Sequence, residues 1–105
     1  MAQYDVYPNP SERSRATIPF VVDVQSRLLS ELRTRLVMPL ARHAGDLSER
    51  PGRLAPRFVI DGTAVVAQAY LAAPVEARLL KQPVSSLADR AMELRDALDA
   101  VCGGT

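Results

Sequence analysis

Histidine and cysteine, the side chains that most often serve as catalytic bases, nucleophiles and metal ligands, are scarce in this chain. His43 is the only histidine and Cys102 the only cysteine. A serine nucleophile needs a base within reach and a third group that orients the base. Serines are plentiful here, but nothing in their spacing selects one to join His43 and an aspartate. His43 therefore reads as an ordinary loop residue. One cysteine and one histidine far apart in the chain do not make a metal ligand set. Gly103-Gly104 stands after the last apolar-periodic segment and does not open a helix, so it is no phosphate-cradling loop. No catalytic residue, metal or cofactor is expected. What remains is arginine, which supplies nearly all the positive charge, Lys81 being the only lysine. Arg13, Arg15, Arg50, Arg53 and Arg57 are the groups that would stabilise developing phosphate charge in a cleavage reaction. No matched acid–base partner accompanies them, and solvated surface arginines are the plainer account.

Composition narrows the class further. A chain of 105 residues suits a single domain with one core, here 1–105. Its 48% hydrophobic and 24% charged residues are those of an ordinary globular protein. A formal net charge of +1 gives no basic excess, so direct nucleic-acid binding is not expected. A lone cysteine excludes an intrachain disulfide and fits a reducing cytoplasm. No apolar run approaches the ~20 residues that a spanning helix needs. The N-terminus lacks a basic stretch followed by an apolar one, so neither membrane nor secretion is expected.

Strand signals dominate the first two thirds. Residues 3–7 alternate and are rich in strand formers, and Pro8-Asn9-Pro10-Ser11 breaks them. In the run from Phe20, the side chains of Phe20, Val22 and Val24 point one way and those of Val21, Asp23 and Gln25 the other. This strand reaches about Gln25, Leu28 and Leu29 fall in the connection, and 34–40 forms the next strand. Residues 41–57, with Gly45, Pro51, Gly52, Pro56 and several arginines, predict a long loop. Asp61-Gly62 between 57–60 and 63–68 predicts a hairpin closed by a type I′ turn. Ala73-Pro74-Val75 and Leu79-Leu80 suggest one more extended piece. Leu87, Ala91, Leu94, Leu98 and Val101 recur at helical spacing, with Ser86 as N-cap, Asp89 in the first turn and Gly103 as the stop. Strands first and one helix last predict a mostly β fold, a small antiparallel barrel or curled sheet with a C-terminal α-helix packed on it.

The text Phe20-Val21-Val22-Asp23-Val24-Gln25-Ser26, followed by Leu36-Val37-Met38-Pro39-Leu40, resembles the CcdB family of bacterial toxins. Gln3-Tyr4-Asp5-Val6-Tyr7, Ser14-Arg15 and Asp61-Gly62 stand in matching order, and 84–105 aligns without a gap. The resemblance spans almost the whole chain, with 42–57 the weakest part. It implies the SH3-like, CcdB-type barrel and a homodimer. It also implies the toxin half of a type II toxin–antitoxin pair that inhibits a topoisomerase, DNA gyrase, by binding its A subunit. The antitoxin of such pairs is an acidic, partly disordered peptide wrapping the toxin dimer. The related PemK/MazF barrels cut RNA instead, which makes an RNA-cleaving toxin the alternative. A non-toxic homologue that retains antitoxin binding is another.

By this resemblance the gyrase contacts fall on Gln3, Tyr4, Ser26, Leu28, Leu29, Asp99, Cys102, Gly103, Gly104 and Thr105. Gln3, Ser26 and Gly104 keep the family's usual residue, and Tyr4, Leu28 and Leu29 its character. Asp99 replaces an amide by a charge and stands near the negative end of the helix dipole. The family typically ends in Trp-Gly-Ile, where this chain has Gly103-Gly104-Thr105. Losing a tryptophan removes the commonest kind of interface hot spot, so weakened gyrase poisoning is expected. Arg13 and Arg15, in the loop matching the family's antitoxin-contacting segment, suit an acidic peptide. Val101 continues the helix stripe beyond what docking requires and is expected at the dimer contact.

Overall fold

The architecture comes from a computed structural model that describes residues 2–43 and 55–103. Strands β1 (Asp5–Pro8), β2 (Phe20–Asp23) and β3 (Thr34–Arg42) form an antiparallel meander. The β4 (Arg57–Ile60) and β5 (Thr63–Ala67) hairpin follows, then β6 (Ala73–Glu76), the short β7 (Ser85–Ser86) and helix α1 (Ala91–Cys102). The seven strands form one sheet in the order β4-β5-β3-β2-β1-β7, with β6 also paired to β3. Strand β3 is long enough to hold β5 along 40–42 and β6 along 34–37. Each ladder is antiparallel, and the sheet curls into a nearly closed barrel against which the C-terminal helix packs. This is the mostly β, small-barrel architecture that the strand pattern and the resemblance imply.

Local chemistry explains most boundaries. Asp61 and Gly62 take φ of 49° and 78°, the positive values that a type I′ turn demands, and place Ile60 opposite Thr63. Strand β1 begins two residues later than its alternation suggests, because Tyr4 adopts φ 74° and bends the chain before Asp5. Strand β2 stops at Asp23, earlier than expected, because the backbone N–H of Gln25 donates to Asp23 Oδ1 at 3.0 Å and leaves the ladder. Strand β3 continues through Arg42, and Arg57 opens β4, so the expected 41–57 loop is shorter at both ends. Residues 44–54 of that loop lie outside the described residues. Leu79 ends a 3-10 turn (Ala77–Leu79), so the extended piece stops at Glu76.

The core has two parts. The larger gathers Val6, Val22, Val24, Met38, Leu40, Phe58, Ile60 and Val65 with Leu94 and Ala97 of α1. The smaller, on the opposite face of β2, joins Tyr7, Val21, Val37 and Leu80. Both faces of β2 are therefore covered. Burial, reinforced by the carboxylates of Asp5 and Asp23 and opposed by the nearby Arg35 cation, raises the pKa of the Tyr7 phenol above its ordinary value.

The expected 87–101 helix resolves into two pieces. Residues Ala88–Arg90 make a 3-10 turn whose N-cap is Leu87 and not the expected Ser86; the Ser86 Oγ accepts the Ala88 N–H at 3.2 Å from one residue further back. Helix α1 proper starts at Ala91 without a side-chain cap. It buries Leu94 and Ala97, with Leu98 half-buried beside them, while Val101 is 41% exposed. Gly103 ends it in ordinary right-handed geometry, its N–H donating to the Asp99 carbonyl at 2.6 Å.

Candidate interaction surface

Five of the ten expected gyrase-contact residues gather where β2 leaves the sheet. Gln3 donates from Nε2 to the Val24 carbonyl at 3.2 Å. Tyr4 donates its backbone N–H to the Asp23 carbonyl at 2.6 Å and accepts the Leu87 N–H at 2.8 Å. Its ring packs against the larger core. Directly after Gln25 the chain makes a 3-10 turn (Arg27–Leu29), with Ser26 as its cap: Ser26 Oγ accepts the Leu28 N–H at 3.1 Å. The turn leaves Leu28 94% exposed, Leu29 49% and, just beyond it, Leu32 51%. Leucine normally supplies its burial energy to a core. Three exposed leucines thus stand close together in the chain at this corner, beside the polar residues that fix the turn.

A buried polar network lies under this corner, and no local pattern announces it. Arg35 donates from Nε to Asp23 Oδ2 at 2.8 Å and its Nη2 stands 2.8 Å from the same oxygen, with the two side chains 3% and 0% exposed. Asp23 Oδ1 takes the Gln25 N–H. The Gln25 amide uses both ends, accepting the Leu36 N–H at 2.9 Å and donating to the Leu29 carbonyl at 2.9 Å. Asp23 and Gln25 occupy alternate positions of β2 and its extension, a pattern that an open strand face shows equally. Only the pairing of β2 with β3 brings Arg35 to them, and no local signal encodes that.

The rest of the expected contact set sits at the end of α1. Asp99, Cys102 and Gly103 are exposed there, while Gly104 and Thr105 lie outside the described residues. No hydrogen bond or ion pair among the described residues joins this end to the Leu28 corner. Both elements touch the larger core, through Tyr4 and Leu98. The last helical turn carries Asp99 and no basic residue, as the dipole argument anticipated.

The 8–15 loop is more ordered in its chemistry than its composition suggests. Asn9, 7% exposed, is its hub. Its Nδ2 donates to Ser14 Oγ at 3.0 Å and to the Ile18 carbonyl at 2.8 Å, and its Oδ1 accepts the Ser11 N–H at 3.0 Å. Arg15 donates from Nε to the Asn9 carbonyl at 2.8 Å, which fixes the root of its guanidinium while the side chain stays exposed. Arg13 is exposed on the adjoining 3-10 turn (Glu12–Ser14). The loop thus presents two cations on a framed backbone.

The arginines considered for RNA cleavage are distributed otherwise. Arg13 and Arg15 belong to this loop, Arg57 to β4, and Arg50 and Arg53 lie outside the described residues. Arg57 lines a shallow depression with His43, Phe58, Val59, Ala64, Val65 and Arg90, none of which is a carboxylate. Arg90 is engaged there, 4.4 Å over the Phe58 ring and 2.6 Å from the Glu93 carboxylate. Among the described residues no three His, Cys, Asp or Glu side chains are placed to hold a metal ion. No helix among them is long and apolar enough to cross a membrane.

No curated protein matches the chain significantly. A protein family does match, described as CcdB protein, and the match runs over residues 3–104, nearly the whole length. It covers every strand, the Leu28 corner, the Asn9 loop and α1. The chain therefore belongs to the CcdB family, a membership that supports its being the toxin component of a toxin–antitoxin pair.

Proposed function

We propose that this protein acts by binding and not by catalysis, as a homodimeric toxin whose target is the gyrase A subunit. The observation that carries this reading is the apolar corner. Gln3, Tyr4 and Ser26 frame Leu28 and Leu29, and those are the positions to which the family resemblance assigns gyrase contacts. An exposed apolar patch rimmed by polar groups has the composition of a protein-binding surface. With Gly103 and Thr105 in place of large apolar residues, the helix end adds little to that contact, and gyrase poisoning is weak or absent. The direct test incubates the purified protein with gyrase and DNA and, separately, with RNA alone. Weak trapping of the cleaved gyrase–DNA complex with RNA left intact fits the proposal. RNA cut without gyrase or ATP would replace it with the RNA-cleaving alternative.

The dimer belongs to the same proposal. Val101 lies at the free end of α1 and is only partly covered within one chain. Pairing through the sheet and this helix end would bury it. Light scattering at micromolar concentration should give twice the mass of one chain, and Val101→Glu should shift it to monomer. A monomeric mass for the unmodified protein rules the dimer out.

Arg13 and Arg15 are the proposed antitoxin contacts. Two exposed cations on a framed loop suit an acidic, partly disordered peptide, whose coupled folding favours a broad surface over a pocket. The affinity of the cognate acidic peptide should fall as salt rises, since rim charges are screened within about 8–10 Å at physiological ionic strength. The Arg13→Ala, Arg15→Ala double variant should bind about tenfold more weakly by calorimetry, the loss of two partly exposed charge pairs. Equal affinity in the variant would place the peptide elsewhere.

A further inference from the structure

We propose that Gln25, backed by the Asp23–Arg35 pair, is a positioning residue that holds the Leu28–Leu29 corner in its binding shape. The inference rests on the reading of that corner as a partner-binding surface. Its physical basis is that a 3-10 turn of three residues is not stable alone. Its own bonds are short-range: Leu29 N–H to the Ser26 carbonyl, Ser30 N–H to the Arg27 carbonyl and Leu32 N–H to the Leu29 carbonyl. Leu28, 94% exposed, makes almost no packing contact that would fix the turn from outside. The constraint comes from beneath. The Leu29 carbonyl accepts from Gln25 Nε2 as well as from Leu32, and Gln25 is tied to β3 through the Leu36 N–H and to Asp23 through its own N–H. Asp23 is in turn clamped by Arg35. An unbroken run of bonds, buried at Asp23 and partly buried at the Gln25 amide, thus leads from the centre of the sheet to the residue beside Leu28.

A purely stabilising role does not account for this arrangement. Buried ion pairs seldom outperform apolar residues of similar volume as stabilisers, because both charges must leave water. What such a network supplies is one fixed geometry. For a contact surface that matters directly, since side chains ordered before binding cost less to immobilise on association.

The test uses the full chain and compares Gln25→Met, Gln25→Glu and Leu28→Ala. Met removes both side-chain bonds of Gln25 at similar volume. Glu keeps the acceptor for the Leu36 N–H, loses the donor to the Leu29 carbonyl and adds a carboxylate near Asp23, so its effect is read as local exchange relative to the core. Amide hydrogen exchange should rise at Leu29, Ser30 and Leu32 about tenfold or more beyond any change at Val22, Met38 and Leu40 in both Gln25 variants. The Leu36 amide should lose protection in Gln25→Met and keep it in Gln25→Glu. Binding to the purified gyrase A subunit should weaken about tenfold in each, as it should in Leu28→Ala. A uniform rise in exchange at all sites, or none at the corner, would show that Gln25 does not position the turn. Loss of binding in Leu28→Ala but not in the Gln25 variants would overturn the positioning role while leaving the corner as the contact. No effect of Leu28→Ala on binding, or no binding by the unmodified chain, would remove the corner reading itself and this assignment with it.

Discussion

Replacing Arg35 with alanine is expected to cost about 3–5 kcal/mol of folding stability, the largest single-site effect foreseen in this chain. The argument is one of stranded charge. Asp23 is 0% exposed, and both nitrogens that Arg35 contributes meet the same oxygen, Oδ2, at 2.8 Å. Without Arg35 the Asp23 carboxylate keeps, among the described residues, only the Gln25 N–H on its other oxygen. Asp23→Ala should cost a similar amount, because it strands the guanidinium. Replacing both at once, as Asp23→Leu with Arg35→Met, should recover most of that loss, since no charge is then left buried. Urea unfolding of the four proteins checks this through their midpoints at a shared slope. A loss below about 1 kcal/mol in Arg35→Ala would mean that the carboxylate finds another partner, and the description of the pair as the anchor of the corner would fail.

The contrast between this network and the hairpin shows what could be inferred from sequence and what could not. Asp61-Gly62 is legible because the turn is a local property: two adjacent residues set the backbone angles that register β4 against β5. The helix stripe is legible for the same reason, its period being contained within one element. The two-sided burial of β2 is not local. Asp23 and Gln25 alternate with valines as solvent-facing residues do, and only their distant partners in β3 distinguish the cases. The Ser86 bond to the Ala88 N–H falls just ahead of a 3-10 turn and not at α1, because a 3-10 turn and the start of an α-helix share the same N-terminal signal. The αL backbone at Tyr4 was invisible too, as tyrosine has no preference for positive φ. For the surface, spacing alone offered no site. Gln3, Tyr4, Ser26, Leu28 and Leu29 were drawn from family resemblance. The fold does bring them together, but the Gln25 support beneath them belongs to tertiary structure.

Restoring the family's helix end, by Gly103→Trp with Thr105→Ile, should tighten binding to the gyrase A subunit by roughly two orders of magnitude. A tryptophan in a desolvated contact typically accounts for about 2–4 kcal/mol on truncation, which sets that scale. The backbone admits the change. Gly103 sits at φ −93°, a value open to any residue. A Cβ there would stand 3.0 Å from the Asp99 carbonyl oxygen, so that oxygen must yield by a few tenths of an ångström. It belongs to the last turn of α1, where the helix frays and such a shift costs little. Gly103→Ala makes the same demand on the backbone without the indole. It should leave affinity unchanged, separating the new contact from a stiffer tail. Surface plasmon resonance against the immobilised A subunit measures all three chains, and trapping of the cleaved gyrase–DNA complex should rise in the same order. If the restored tail gains nothing, the helix end does not meet gyrase in the bound state. Tight binding and strong poisoning by the unmodified chain would instead mean that Gln3, Tyr4, Ser26, Leu28 and Leu29 suffice, and that the helix end of this protein has been released from the contact without loss.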